Sequence, residues 1–313
     1  MDVKPFVTFR ENVLKNVSQA IVGKREIVDL LIISFIAGGH ILLEDVSGLG
    51  KTTIAKTFAK TIGVPFKKIQ FTPDLLPADL VGINYYNEKT GKFDFKKGPF
   101  FSNIILADEV NRATPRTQSS LLEAMEEKQI TVDGETKTLN PTFMVLATQN
   151  PVESYGTFPL TESQTDRFFM RINIGYPTKD EEREIILRNE TNIIENVHCI
   201  IKEEEIKYLS ENYGKVYGSE DIMNYIIDII ENTRKNDKIE LGVSPRGSIA
   251  LFKASQVYAA INGRDHIIPE DIKKVAVHVL NHRIVLKKKG KMEESVKVIK
   301  ELIDKTKEPT EKN

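Results

Sequence analysis

Tryptophan is absent from the 313 residues and cysteine occurs once, at Cys199. One thiol excludes an intramolecular disulfide framework and a metal site built from several thiolates. Flanked by apolar residues in "NVHCII", it is expected to be packed and inert. Neither sign of charge dominates: Lys+Arg 44 against Asp+Glu 45 leaves a formal net charge of -1. That balance argues against an extended surface for non-specific nucleic-acid binding. Long hydrophobic runs are missing too. The longest, "LLIISFIAGGHILL", is too short to span a bilayer and is broken by Gly38, Gly39 and His40. It fits the end of a buried helix, a Gly-Gly stop and a buried strand. The opening "MDVKPFVTFRENVLKN" carries charges where a signal peptide has its apolar core, so a cytoplasmic protein without membrane insertion is expected. What is present, 40% hydrophobic and 28% charged residues, is the make-up of a globular chain long enough for two domains.

From His40 to Gly175 short apolar runs alternate with helical patterns, the rhythm of a parallel α/β sheet. The runs "HILLED", "FKKIQF", "NIILAD", "FMVLATQN" and "MRINIG" supply five strands, several with little polar alternation, as strands covered on both faces require. Lys51 to Ile62 and Pro115 to Lys128 have helical spacing. Two segments are expected to be inserted β-hairpins. One has alternating Phe93 and Phe95 after Tyr85, Tyr86 and a Thr90-Gly91 turn; the other turns at Asp133-Gly134. After Gly175 the pattern becomes helical. Thr178 and Glu181 form a capping box, Ile222, Tyr225, Ile226, Ile229 and Ile230 mark one helix face, and Pro269 opens another helix. The expected division is an α/β nucleotide-binding domain over 1–177 and an all-α domain over 178–313, ending in a frayed polar tail, "TKEPTEKN".

The stretch "HILLEDVSGLGKTT" nearly completes the phosphate-loop pattern G-x-x-x-x-G-K-[ST], with Asp45 in place of the first glycine. Gly48 and Gly50 stand where backbone must approach phosphate without a Cβ in the way. A helix beginning at Lys51 turns its positive end to the anion. Lys51 is suited to the β- and γ-phosphates, and the Thr52 hydroxyl to Mg2+. A later strand, "IILADE", ends in two carboxylates with separable tasks, Asp108 for the metal and Glu109 as general base for the attacking water. Asn150, ending "VLATQN", offers an amide that can orient water. Asp45 is expected to turn away from the phosphates, which its charge would repel, and to bond nearby backbone or solvent.

With these residues in place, the chain resembles the MoxR family of AAA+ ATPases over nearly its whole length. The runs that carry the likeness are "GPFFSNIILADEVNRATPRTQSSLLEAMEE" and "FMVLATQNPVESYGTFPLTESQTDRF", with "FTPDLLPADLVG" and "GVSPRGS" in the same order. The resemblance implies ATP and Mg2+ as ligands. It makes Ser47, Gly48, Leu49, Gly50, Lys51, Thr52 and Thr53 the Walker A loop, Asp108 and Glu109 Walker B, and Asn150 sensor 1. It further makes Arg167 an arginine finger and Arg246 a sensor 2 residue reaching the γ-phosphate from the lid. Val22 and Gly23 in "AIVGKREIV" would lie nearest the adenine, and the hairpins would be the helix-2 and pre-sensor-1 inserts. Ser47 and Thr165 depart from the family's commoner proline and leucine, and neither removes a group the chemistry needs.

The expected activity is Mg-dependent ATP hydrolysis that drives remodelling of a protein partner, by resemblance one with a von Willebrand factor A domain, from a homo-oligomeric ring, most simply a hexamer. A nucleotide-gated scaffold with slow hydrolysis is a second reading, which the intact Glu109 disfavours. A motor for nucleic acid or for a magnesium-chelatase-type complex is a third. Lys89, Lys92, Lys96 and Lys97 on the first hairpin could meet phosphate, but they also suit a solvated strand edge.

Overall fold

A computed structural model describes residues 1–45, 48–149, 156–188, 193–288 and 292–309. Helices α1 (Lys4–Val17) and α2 (Arg25–Ile36) precede strand β1 (Ile41–Glu44), helix α3 (Lys51–Ile62) and strand β2 (Phe66–Gln70). A short helix α4 (Pro77–Val81) leads into the hairpin β3 (Gly82–Asn87) and β4 (Lys92–Lys97). Strand β5 (Ile104–Asp108) and helix α5 (Pro115–Glu127) follow, then the hairpin β6 (Gln129–Val132) and β7 (Glu135–Thr138). Strand β8 (Met144–Gln149), a single turn α6 (Glu162–Thr165) and strand β9 (Met170–Ile172) complete this half.

The five expected strands form one parallel sheet in the order β2-β5-β8-β1-β9. Their apolar runs are continuous because successive side chains enter different cores. Ile41, Leu43, Ile104, Leu106, Met144 and Leu146 face the cluster that contains α1, α2 and α3. Leu42, Ile105, Ala107, Val145 and Ala147 face the other, with Leu121, Leu122 and Met125 of α5. Both hairpins form where expected. Asp133 and Gly134 both take positive φ, 49° and 83°, the backbone a two-residue turn between twisted strands needs. The first hairpin leaves Tyr85, Tyr86 and Phe93 exposed, Phe93 by 73%, so these rings face outward.

Beyond Ile172 the chain is helical: α7 (Lys179–Arg188), α8 (Glu203–Asn212), α9 (Glu220–Lys235), then α10 (Pro245–Ile261), α11 (Pro269–Leu280) and α12 (Met292–Lys305). The capping box forms, with the Thr178 N–H donating to Glu181 Oε2 at 2.8 Å and the Glu181 N–H to Thr178 Oγ1 at 3.3 Å. The predicted face of α9 is buried throughout.

Three expectations for this half are corrected. It is not wholly α, because β10 (Ile239–Leu241) pairs antiparallel with β11 (Val285–Leu286). The tail is tied down as far as it is described: Thr306 is buried and accepts from Asn232 Nδ2 at 2.9 Å, and Glu308 pairs with Lys273. Cys199 is exposed, its Sγ against Gly63 and donating to the Ile201 C=O, because the segment runs over the surface of α3. The helical half also shares a core with the first half. The cluster on one sheet face continues through α1 and α2 into α9, α10 and α11. Arg10 of α1 reinforces that seam, reaching Asp29 of α2 at 2.7 Å and Asn262 after α10 at 3.1 Å.

Candidate active site

The loop between β1 and α3 is described from Gly48 onward; Ser47 lies outside the described residues, as does Asn150. Gly48 and Gly50 take φ of 90° and 79°, a conformation that costs a side-chain-bearing residue about 1 kcal/mol or more. A Cβ on either would meet nothing within 4 Å, so both glycines edge open space at the start of α3. Lys51 folds back across the loop and donates to the Asp45 C=O at 2.6 Å. Burial lowers its pKa, with Asp45, Asp108 and Glu109 opposing that shift. The Asp45 carboxylate points the other way. It accepts from the N–H groups of Ile174 (2.5 Å) and Gly175 (3.3 Å), while burial raises its pKa. It therefore staples β1 to the chain leaving β9 and does not enter the phosphate side of the loop.

Parallel register brings the other groups to the same sheet edge, since Gln70 at the end of β2 stands opposite Asp108 at the end of β5. The Asp108 carboxylate accepts from Lys68 Nζ at 2.8 Å and from the Thr148 hydroxyl at 2.7 Å. Burial acts to raise its pKa, and these two hydrogen bonds together with the charges of Lys68 and Lys51 outweigh burial, leaving it below the ordinary value. Glu109 adopts a left-handed backbone, φ 57° and ψ 51°, strain of order 1–3 kcal/mol in a residue with a Cβ. Thr148 supports that conformation by accepting the Glu109 N–H at 2.8 Å. The Glu109 side chain accepts from Gln70 Nε2 at 2.7 Å and Arg112 Nε at 3.2 Å.

Gly48, Gly50, Lys51, Thr52, Lys68, Asp108, Glu109 and Thr148 line one cavity of about 290 Å³. These residues fit a nucleoside triphosphate and a hard divalent cation. The glycines leave room for phosphate, Lys51 and the α3 terminus supply positive charge, and Thr52 and Asp108 present oxygen donors. Leu49, between the two glycines, and Thr53, next after Thr52, are half-buried.

Val22 and Gly23 precede α2, and neither lines the cavity of the phosphate loop. Lys24 Nζ donates to the C=O groups of Gly175 (3.2 Å) and Tyr176 (3.0 Å), and its charge is felt by Asp45. Gly23, at φ 64°, lies against Glu181 and edges a separate cavity of about 330 Å³ with Leu14, Ser18 and Val28.

The two arginines lie elsewhere, lining a cavity other than that of the phosphate loop. Arg167 Nη1 lies 3.3 Å from Glu126 Oε2, and Arg246 pairs with Glu126 Oε1. Both line a third cavity, of about 280 Å³, with Lys128, Lys253 and Arg283. The reason is the docking of α10. Its N-cap, Ser244, donates to Asp166 Oδ2 at 2.9 Å, which sets Arg246 beside Arg167. Lys68, Gln70, Thr148 and Glu126 were not singled out from sequence. The only local signal was the polar ends of "FKKIQF" and "VLATQN"; Glu126 sits in an acidic run like any solvated helix end.

Comparison with known proteins decides the family. The profile described as "ATPase family associated with various cellular activities (AAA)" matches residues 40–170, and an AAA lid domain profile matches residues 231–304. Chaperone MoxR1 of Mycobacterium tuberculosis is 38% identical over 285 residues, 88% of this chain and 75% of that protein. The chain belongs to the MoxR family of AAA+ ATPases. An uncharacterised Bacillus subtilis protein, YeaC, is 45% identical over 96% of this chain and 95% of its own. A crystal structure from Cytophaga hutchinsonii, described as a candidate ATPase, superposes with a TM-score of 0.90 at 40% identity and covers 98% of both chains. The activity of this MoxR-family chain is ATP hydrolysis, on an AAA core followed by a helical lid. No helix among the described residues is long and apolar enough to cross a membrane.

Proposed function

We propose that this MoxR ATPase hydrolyses Mg·ATP in a closed ring of copies, six by likeness to its family, and uses the cycle to remodel a protein partner in the cytoplasm. Lys51 and the α3 terminus bind the phosphates, and Val22 and Gly23 flank the base. Thr52 and Asp108 hold magnesium, which when bound supplies charge neutralisation to the phosphates. Glu109 orients and deprotonates the attacking water, with Gln70 and Thr148 fixing its carboxylate and backbone. Asn150 assists by orienting the water. Arg167 and Arg246 act together on the nucleotide of the neighbouring copy. The chain works as two parts, 1–177 and 178–313, whose shared core makes the lid move with α1 and α2.

The observation that carries this reading is the separation of the arginines from Lys51: they converge on Glu126 and line a different cavity from the phosphate loop. The outward rings Tyr85, Tyr86 and Phe93 are the proposed contact for the partner, whose fold is by family likeness a von Willebrand factor A domain. The test is complementation. A Lys51→Ala chain cannot bind nucleotide but keeps its arginines, and an Arg167→Ala chain keeps its own phosphate site. Each alone should be inactive, and mixing them should restore turnover. Two inactive chains that stay inactive when mixed, although they co-assemble, would exclude action between copies.

A further inference from the structure

Glu126 stands at the end of α5, and both of its carboxylate oxygens are engaged, Oε2 by Arg167 and Oε1 by Arg246. The backbones that deliver these three side chains are fixed without help from Glu126. Asp166, beside Arg167, accepts from Arg283 Nε at 2.9 Å and from the Ser244 hydroxyl, two residues before Arg246. Arg283 is buried and also donates to the C=O groups of Phe168 and Phe169. His40 secures the other side, donating from Nε2 to the C=O of Met125, next to Glu126, at 3.0 Å, while its own C=O accepts the Phe169 N–H at 2.8 Å.

The heads of the arginines remain open to solvent, with Arg246 exposed by 51%, Arg167 by 34% and Glu126 by 36%. Two anchored guanidiniums meeting at one point make a receptor for an anion with several oxygens. Glu126 fills that receptor from within the chain, and its exposure sets how firmly it stays there. An exposed ion pair is weak, so an incoming anion can replace the carboxylate at small cost. The buried Arg283–Asp166 pair beneath it cannot be exchanged so, because either charge would be left uncompensated.

We propose that Glu126 is a positioning residue whose carboxylate occupies the place of the neighbouring copy's terminal phosphate, holds Arg167 and Arg246 together before assembly, and is displaced when that phosphate arrives. This rests on the reading that the two arginines serve a neighbour's nucleotide. It predicts that Glu126 competes with ATP-driven assembly.

The experiment is sedimentation velocity of the full chain against ATP concentration with magnesium, in a Glu109→Gln background that stops turnover. Glu126→Gln should lower the ATP concentration for half-maximal assembly about three- to tenfold, the scale of two exposed pairs. Glu126→Asp, which keeps the charge, should bring it back toward the parent value. Glu127→Gln, which removes the same charge from the next residue, should leave it in place. A midpoint that is unchanged or raised in Glu126→Gln, or that shifts equally in Glu127→Gln, overturns the proposal and leaves the ring reading standing. A parent chain that does not assemble with ATP at any concentration overturns both.

Discussion

The phosphate pocket and the arginine face are both charged, yet they are built in opposite ways. In the pocket each charge has its own partners: Lys51 the Asp45 C=O of the same loop, Asp108 Lys68 and Thr148 from neighbouring strands, Glu109 Gln70 from β2 and Arg112 one turn on. Around it the chain leaves room beside two glycines. On the arginine face two like charges converge on one carboxylate above a buried ion pair. The pocket is a place for an anion with its chemistry around it. The face is cationic machinery with no phosphate loop of its own. Each supplies what the other lacks, which is the ground for proposing that the reaction takes place at the junction of two copies.

The sharpest way to break that comparison is to remove a cation from the face and leave the pocket intact. Arg167→Ala should reduce kcat of the assembled protein by about 10³ to 10⁵, the usual weight of an arginine on a transferring phosphoryl group. Nucleotide binding by the isolated chain, followed by fluorescent-ATP anisotropy, should be preserved. A large loss of affinity there would put Arg167 in its own chain's pocket. Within the pocket, Glu109→Gln should lower kcat by about 10² to 10⁴ with ATP still bound, the range for loss of a general base. Unchanged turnover would end its assignment.

Thr148→Val keeps the shape but deletes both bonds at the joint of Asp108 and Glu109. A drop of about 10- to 100-fold in kcat/KM is expected, the scale of a hydrogen bond to a charged group. The smallest effect is in acid. The pKa of Asp108 is held below its ordinary value, so its contribution to stability is complete above about pH 4 and is lost as pH falls through that region. Lys68→Met should therefore melt below the parent at neutral pH, with the gap closing in acid when followed by circular dichroism.

Much of this was legible in advance because it is local. The five strands, the Asp133-Gly134 hairpin turn and the start of α3 at Lys51 depend on neighbours in the chain, and all formed at the expected residues. Lys51, Thr52, Asp108 and Glu109 could be picked out because a phosphate loop and a strand ending in two acids are short patterns, and the fold brings them to one cavity. Thr148, Lys68 and Gln70 were not legible, since their importance comes from the register of β2, β5 and β8. Cys199 misled because apolar flanks in sequence do not say which side of a surface segment meets the core.

By itself the sequence determined the kind of elements and the chemistry each carries, because backbone preference, side-chain period and motif spacing act over a few residues. Even Asp45 could be read as turning from phosphate, because like charges repel, and its carboxylate bonds the backbone of Ile174 and Gly175. Only the tertiary structure decided which distant charges meet. Whether Arg246 faces Lys51 or Glu126 depends on how α10 docks. That docking is set by a core running from α1 and α2 into the lid and by the buried pair of Arg283 with Asp166. The pairs of Arg246 with Glu126 and of Arg283 with Asp166 join residues more than a hundred positions apart, and no pattern within a few residues encodes them.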